Sequence, residues 1–443
     1  LVALSLMNPA RLHRLSRVVL FALVWLCGPL AVRVAALDFA ALVASVEPER
    51  AARYEAFRDF QIKGFCGTAR IELAAASGAN TIRTYTPPTR RELDAYQRLG
   101  LKVIVGIWMP HHGENKNQDG KWNYDYTVQG DKQVAAFADV LDRIGDHPAI
   151  LLWCLGNEVH LDRPYLETVE RMSRLLHAKF PRALSSLTMI NAPKDKVALI
   201  KESAPDLDVI GFNSYGQGAV NTASRNLEEI WGRAYYVSEF GPQGPWSGRK
   251  TAWGVNCEQS YDQKLADLQK SFARIDTAPR CLGSTMFLWG FWEKTKEFPT
   301  YFSAFLSPAI GGRKVPDEKL YVTPIADEFI RYWSGRYPEE RAPILTRIAI
   351  AGGEQGRDVI VPAGQKFSVT VTVDDPSGTP RPLRYRWWIL NDTGKPQFGP
   401  VDTEVPTFEL LAPAKPGQAY FVKVYVVADE RLASGFSVPF RVE

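Results

Sequence analysis

The chain has 443 residues, 46% hydrophobic and 23% charged, with a formal net charge of +4. Such a length exceeds what one core usually organises and suits a barrel of about 250–300 residues with a smaller module. The charge excess lies wholly in residues 1–36, which hold Arg11, Arg14, Arg17 and Arg33 and no acid. The neutral body offers no basic field for nucleic acid.

Those first residues read as a targeting segment. Arg11, Arg14 and Arg17 precede the apolar run Val18–Val32, which is short for a membrane span. Ala35 and Ala36 supply small residues for cleavage. Export to a periplasm or to the outside is expected, with membrane contact only through this segment if it stays uncleaved. The fold is expected to begin near Asp38. Cys66 and Cys154 fall inside predicted strands, as buried thiols do. Cys257 and Cys281 flank a predicted helix, and export would allow them to pair.

A helical lead-in over residues 38–58 gives way to a regular alternation. Strands are predicted at Gln61–Cys66, Thr81–Tyr85, Lys102–Met109, Ile150–Leu155, Ser185–Ile190, Asp208–Tyr215, Tyr235–Phe240 and Gly283–Trp289. Helices are predicted at Ile71–Ala76, Arg90–Leu99, Val134–Ile144, Tyr165–Lys179, Val197–Glu202, Leu227–Trp231, Tyr261–Ala278 and Pro324–Trp333. Eight strands alternating with helices over about 275 residues predict a closed (β/α)8 TIM barrel within residues 38–336. No Gly-x-Gly-x-x-Gly or phosphate-binding loop follows any strand, which argues against nucleotide binding. Beyond Tyr337–Pro343 helices vanish, and alternating segments at Lys366–Val373, Leu383–Ile389, Thr407–Leu411, Tyr420–Val427 and Phe436–Arg441 predict an immunoglobulin-like β-sandwich over residues 343–443.

Two of the barrel strands end in glutamate. Ile150–Leu155 runs into Gly156-Asn157-Glu158, and Tyr235-Tyr-Val-Ser runs into Glu239-Phe-Gly. A buried parallel strand needs apolar residues, not a carboxylate at its C-terminal end, where this fold places its chemistry. All eight strands present those ends to one face, so Glu158 and Glu239 are expected to converge. A pair of carboxyl groups suits the cleavage of a glycosidic bond, one protonating the departing oxygen and the other attacking or activating water.

Leu155-Gly-Asn-Glu158 and Val237-Ser-Glu-Phe-Gly241 together resemble the glycoside hydrolases of clan A, the four-seven barrels. The texture is nearest to the barrel domains of family 2. Gly156-Asn-Glu-Val159 and Asn80-Thr-Ile-Arg-Thr-Tyr85 are also similar to stretches of β-1,3-glucan hydrolases and glucanosyltransferases. The resemblance implies retention of configuration, with Glu158 as acid/base and Glu239 as nucleophile. It implies that Asn157 contacts the sugar 2-hydroxyl and that Arg83 holds the nucleophile ionised. It places Tyr215 beside the nucleophile and makes Trp289 the floor of the subsite for the sugar being cleaved.

Further candidates come from residue type and position. Trp108, His111 and His112 end the third strand and open a long loop, where the histidines can meet sugar hydroxyls. No third ligand accompanies them at a suitable spacing, so no metal is expected, and the chemistry requires no cofactor. Trp122, Trp246, Trp253 and Trp292 fall in loops at the expected active face and are candidates for stacking on sugar rings. Trp387 and Trp388 alternate across one sandwich strand, one toward the core and the other toward a ligand or the barrel. The expected protein is an exported retaining β-glycosidase or transglycosylase whose partner is a β-linked oligo- or polyglucan. The alternatives are a galactoside, mannoside or glucuronide specificity, or a non-catalytic glycan-binding protein.

Overall fold

The computed structural model describes residues 37–112, 124–216, 218–291, 300–309, 315–353 and 358–443. Residues 1–36, where a targeting segment is expected, and Trp122 and Trp292 therefore lie outside the described residues. Two short helices, α1 (Phe39–Ala44) and α2 (Pro48–Tyr54), open the fold. Leu42, Tyr54 and Phe57 share a buried cluster with Ile62, Ile104, Leu152 and Val209, residues at or near the starts of barrel strands. The lead-in is thus a plug across the bottom of the barrel, and Arg53 Nε fixes it to the buried Asp208 Oδ1 at 2.8 Å.

Eight parallel strands close on themselves: β1 (Ile62–Cys66), β2 (Thr81–Arg83), β3 (Lys102–Ile107), β4 (Ile150–Asn157), β5 (Ser185–Ile190), β6 (Val209–Tyr215), β7 (Tyr235–Gly241) and β8 (Cys281–Met286). Between them run α3 (Ile71–Ala76), α4 (Arg90–Arg98), α5 (Tyr126–Ile144), α6 (Arg163–Lys179), α7 (Lys194–Ser203), α8 (Ala219–Asn226) and α9 (Tyr261–Thr277), and α10 (Pro324–Ser334) follows β8. Local chemistry marks several starts. Thr89 and Glu92 form a reciprocal capping box on α4, and Asp162 caps α6 ahead of Pro164 in its first turn. Asp125 caps α5 and starts it eight residues before the apolar period becomes visible at Val134. The helix predicted at Leu227–Trp231 is a π-helical continuation of α8.

The C-terminal strands are β11 (Ile344–Ile350), β12 (Ile360–Val361), β13 (Lys366–Asp374), β14 (Leu383–Asn391), β15 (Pro396–Thr403), β16 (Thr407–Leu411), β17 (Ala419–Ala428) and β18 (Leu432–Val442). They form one sheet ordered β15-β14-β17-β18, with β12 also on β18, and a second ordered β11-β13-β16. The first sheet does not stop at the module boundary. Two short strands of the barrel segment, β9 (Phe305–Leu306) and β10 (Tyr321–Val322), extend it, with β10 lying parallel to β18.

The joint between barrel and sandwich is also packed and charged. Leu306 and Tyr321 share a buried cluster with Trp388, Leu390, Phe421 and Tyr425. Trp387 lies on the other face, in the main core, stacked near Phe408. Both indoles are buried, so neither forms the surface glycan platform considered from the sequence. Lys264 Nζ meets Glu258 Oε1 at 2.7 Å with both side chains buried, and Ser437 N of β18 donates to Glu258 Oε2 at 3.1 Å. Each large apolar side chain here is worth roughly 1.5–3 kcal/mol, so several together rival the ~5–15 kcal/mol that holds a whole domain. A chain ending at residue 336 is therefore expected to lose cooperative unfolding; a sharp thermal transition in that fragment would contradict the account.

The four described cysteines are free. Cys281 is buried on β8 and donates to Gly283 O, whereas Cys257 sits half-buried beside Arg249 on a loop. The pairing that export would allow does not form, because β8 carries the Cys281 thiol into the interior. Among the described residues no helix is long and apolar enough to cross a membrane.

Candidate active site

The geometry that presents Glu158 begins in the backbone of β4. Pairing with β5 slips by one residue between Cys154 and Asn157, a bulge that bends the strand end. Gly156 sits in the bulge at φ +99°, and Glu158 follows at φ +55°, a left-handed conformation that a non-glycine residue seldom adopts. Tyr165 on α6 donates to the Leu155 carbonyl at 2.7 Å, and Glu158 N donates to Thr188 O at 2.9 Å. A Cβ on Gly156 would lie 2.4 Å from the Tyr165 hydroxyl. Gly156→Ala is expected to lose about 2–5 kcal/mol, from the positive φ and the overlap together. A urea-unfolding midpoint equal to that of the parent would contradict this.

Glu239 projects from β7 into a ring of donors. Arg83 Nη1 donates to Oε1 at 2.8 Å and Tyr85 Oη to the same oxygen at 2.7 Å, while Tyr215 Oη donates to Oε2 at 2.6 Å. All three neighbours are donors, so Glu239 accepts, as a carboxylate does. Arg83 is buried, and its Nη2 donates to Asn157 Oδ1 at 2.7 Å. Removing one partner of a buried pair like Arg83–Glu239 typically costs about 3–5 kcal/mol, so the pair holds the site's shape as well as its charge.

Glu158 has a different environment. Asn213 Nδ2 donates to its Oε1 at 2.8 Å. Ser238 Oγ donates to Asn213 Oδ1 at 2.8 Å, which fixes that amide with its NH2 toward Glu158. Burial pushes the Glu158 carboxyl above the ordinary glutamate value; the Asn213 hydrogen bond opposes this, and the negative charge of Glu239 adds to it. The two carboxyl groups thus share a site but not a role. One is wrapped by an arginine and two phenols, and the other is biased toward holding a proton.

Both glutamates line a cavity of about 730 Å3, together with Ile190, Asn191, Asn213, Tyr215, Trp246, Phe287 and Phe302 among others. Trp246 is 63% exposed and lies 5.3 Å from Tyr215 and 5.6 Å from Phe302, ring centre to ring centre, so a broad aromatic face is open to the cavity. Glu158, Asn157, Glu239, Arg83 and Tyr215 therefore come together as expected from their strand ends. Asn157 is tied to Arg83 and Asn213 through its carbonyl oxygen.

Other candidates do not face the cavity. Strand β8 ends at Met286, and a turn follows in which Trp289 N donates to Cys66 O at the end of β1. The Trp289 ring is fully buried against Phe65, Phe305 and Trp333 and has no face left for a sugar; Phe287 lines the cavity instead. His112 is buried with Nε2 2.7 Å from Asp162 Oδ2 and its ring edge-on to Tyr126, so it braces α5 and α6. Trp108 is 44% exposed and its ring lies 5.8 Å from that of His111, but neither lines this cavity. Trp253 is half-buried in a turn whose Ala252 N donates to Asp358 of the C-terminal module, and it does not line the cavity. Two residues that hydrogen-bond the glutamates escaped the sequence reading, Tyr85 and Asn213. Each stands two residues from a recognised one, Arg83 or Tyr215, and the period of two along a strand puts such pairs on one face. Among the described residues no group of three His, Cys, Asp or Glu side chains is placed to hold a metal ion.

The class defined by this fold and site is a (β/α)8 barrel with two unlike glutamates in one cavity at its C-terminal mouth. No family model matches the chain, and no curated protein matches it. Solved structures similar to it include a β-glucuronidase from Bacteroides uniformis, with a TM-score of 0.46 and 14% identity, covering 87% of this chain and 46% of that one. A β-glucuronidase from Ruminococcus gnavus aligns with a TM-score of 0.46 and 13% identity over 63% of this chain and 50% of that one. A β-glycosidase from Bacteroides vulgatus aligns with a TM-score of 0.42 and 14% identity over 86% of this chain and 64% of that one. The chain spans about half the length of the two β-glucuronidases.

Proposed function

We propose that the protein is a retaining β-glycoside hydrolase, or a transglycosylase of the same mechanism, acting on a β-linked glucan and exported by way of residues 1–36. Glu239 attacks the anomeric carbon and forms a glycosyl ester, while Glu158 gives its proton to the departing glycosidic oxygen. Glu158, now a carboxylate, takes a proton from water or from an acceptor hydroxyl, and that oxygen displaces Glu239 from the sugar. The observation that carries this reading is the asymmetry of the pair: three donors on Glu239, against burial and one amide on Glu158.

A neutral sugar is favoured over a glucuronide. A substrate carboxylate needs a cation, and none of the described residues lining the cavity is cationic. Arg83 already directs both terminal nitrogens at Glu239 and Asn157. Product analysis on β-gluco-oligosaccharides of defined linkage tests the proposal, with β-galactosides, β-mannosides and β-glucuronides alongside and Glu239→Gln as control. Shorter products mean hydrolysis and longer ones transfer. Turnover of glucuronides alone would overturn the substrate class. Binding without turnover anywhere on the panel would overturn the enzyme reading in favour of a glycan-binding protein.

A further inference from the structure

Resting on the glycosidase reading, we propose that Asn191, the residue just past β5, holds the leaving-group sugar and, in the second half-reaction, the acceptor. The cavity that holds both glutamates is also lined by Ile190 and Asn191 and by Ala219 and Thr222 of α8. The group that departs is bonded to the oxygen Glu158 protonates, and Asn191 follows β5, the strand hydrogen-bonded to the one that leads into Glu158. Two polar side chains on that wall have a donor with no partner among the described residues, the Asn191 amide and the Thr222 hydroxyl, and of the two only the amide is held by a side-chain hydrogen bond. Asn191 is exposed, and Ser214 Oγ donates to its Oδ1 at 2.8 Å. That bond fixes the amide and leaves its NH2 with no partner among the described residues. Asn213 is held in the same way by Ser238, and its NH2 serves Glu158.

The backbone at this point is unusual as well. Asn191 has φ +52° and Ala192 has φ +42°, two successive left-handed non-glycine residues. Such strain costs about 1–3 kcal/mol per residue and persists where a site needs it. Asn191 N donates to the carbonyl of Asn213 at 3.0 Å, which couples the turn to the residue that holds the acid. The exposed Ile190 beside it, 53% accessible, supplies an apolar edge for a sugar face. An amide donor beside an apolar edge suits a neutral pyranose bearing hydroxyls. It offers nothing specific to a flat aryl leaving group.

The test compares Asn191→Gly and Asn191→Asp with the parent on two substrates sharing one glycone: β-gluco-oligosaccharides and the corresponding 4-nitrophenyl glycoside. Both replacements tolerate a left-handed backbone and both remove the donor. The ratio of kcat/KM for the sugar leaving group to that for the aryl group is expected to fall about 3–10-fold, the worth of one hydrogen bond to a hydroxyl. Reactivation of the glycosyl-enzyme by a β-gluco-oligosaccharide acceptor is expected to slow relative to reactivation by water by a similar factor. An unchanged ratio, or equal losses on both substrates, would overturn the proposal and leave Asn191 a structural turn residue. A parent protein that cleaves neither substrate would instead fail the glycosidase reading itself and take this inference with it.

Discussion

Replacing Glu239 with glutamine is expected to lower kcat by about 10⁴–10⁶-fold, the scale on which removal of a covalent nucleophile acts in other enzymes. Glutamine is preferred to alanine as the first replacement because it keeps the side chain's volume and one acceptor oxygen, which can take the place of the Oε1 that serves Arg83 and Tyr85. Alanine would also take the acceptor away from the buried Arg83 and both phenols and confuse a catalytic loss with a folding loss. Glu239→Ala has a separate use. The space left by the carboxylate admits azide, which would attack the anomeric carbon from the face Glu239 occupied and give the α-glycosyl azide from a β-glycoside. Rescue without that product, or full activity in Glu239→Gln, would remove Glu239 from the reaction.

The second large effect belongs to Glu158. Glu158→Gln is expected to lower kcat/KM for a sugar leaving group by about 10²–10⁴-fold, the usual contribution of a general acid. An aryl group that departs without protonation should lose far less in the first step. The sign of the pH dependence follows from burial. A raised pKa keeps Glu158 protonated above the ordinary glutamate range, and activity falls as pH rises through that pKa and the acid is lost. The alkaline limb of kcat/KM should therefore belong to Glu158 and vanish in Glu158→Gln assayed on the aryl substrate. Persistence of the same limb in the variant would assign it to another group.

The barrel and its two glutamates were legible because the signals are local and repeated. Apolar runs such as Val103–Ile107 state burial on both faces, and the abrupt change to Asn157-Glu158 breaks that rule at a strand end. What sequence hides is the direction a chain takes once a strand is over. The resemblance puts Trp289 at the mouth as the end of the eighth strand, but β8 ends at Met286 and the turn that follows buries the ring. His112 looks like a loop histidine until α6 brings Asp162 beneath it, a contact between residues fifty positions apart. β15 was missed because Pro396, Gly399 and Pro400 disguise a strand; its place at the sheet edge is where prolines are tolerated. The two-residue strands β9 and β10 are too short to show a period, so the continuity between barrel and sandwich emerges only in three dimensions.

The most direct test of the central claim is to trap the glycosyl-enzyme. The protein would be incubated with a 2-deoxy-2-fluoro-β-glucoside carrying a dinitrophenyl leaving group, digested, and its labelled peptide sequenced by mass spectrometry. The account predicts a single fluoroglucosyl label on Glu239, within Tyr235–Gly241. A label on Glu158, or hydrolysis that releases the inverted anomer first with no label anywhere, would contradict it.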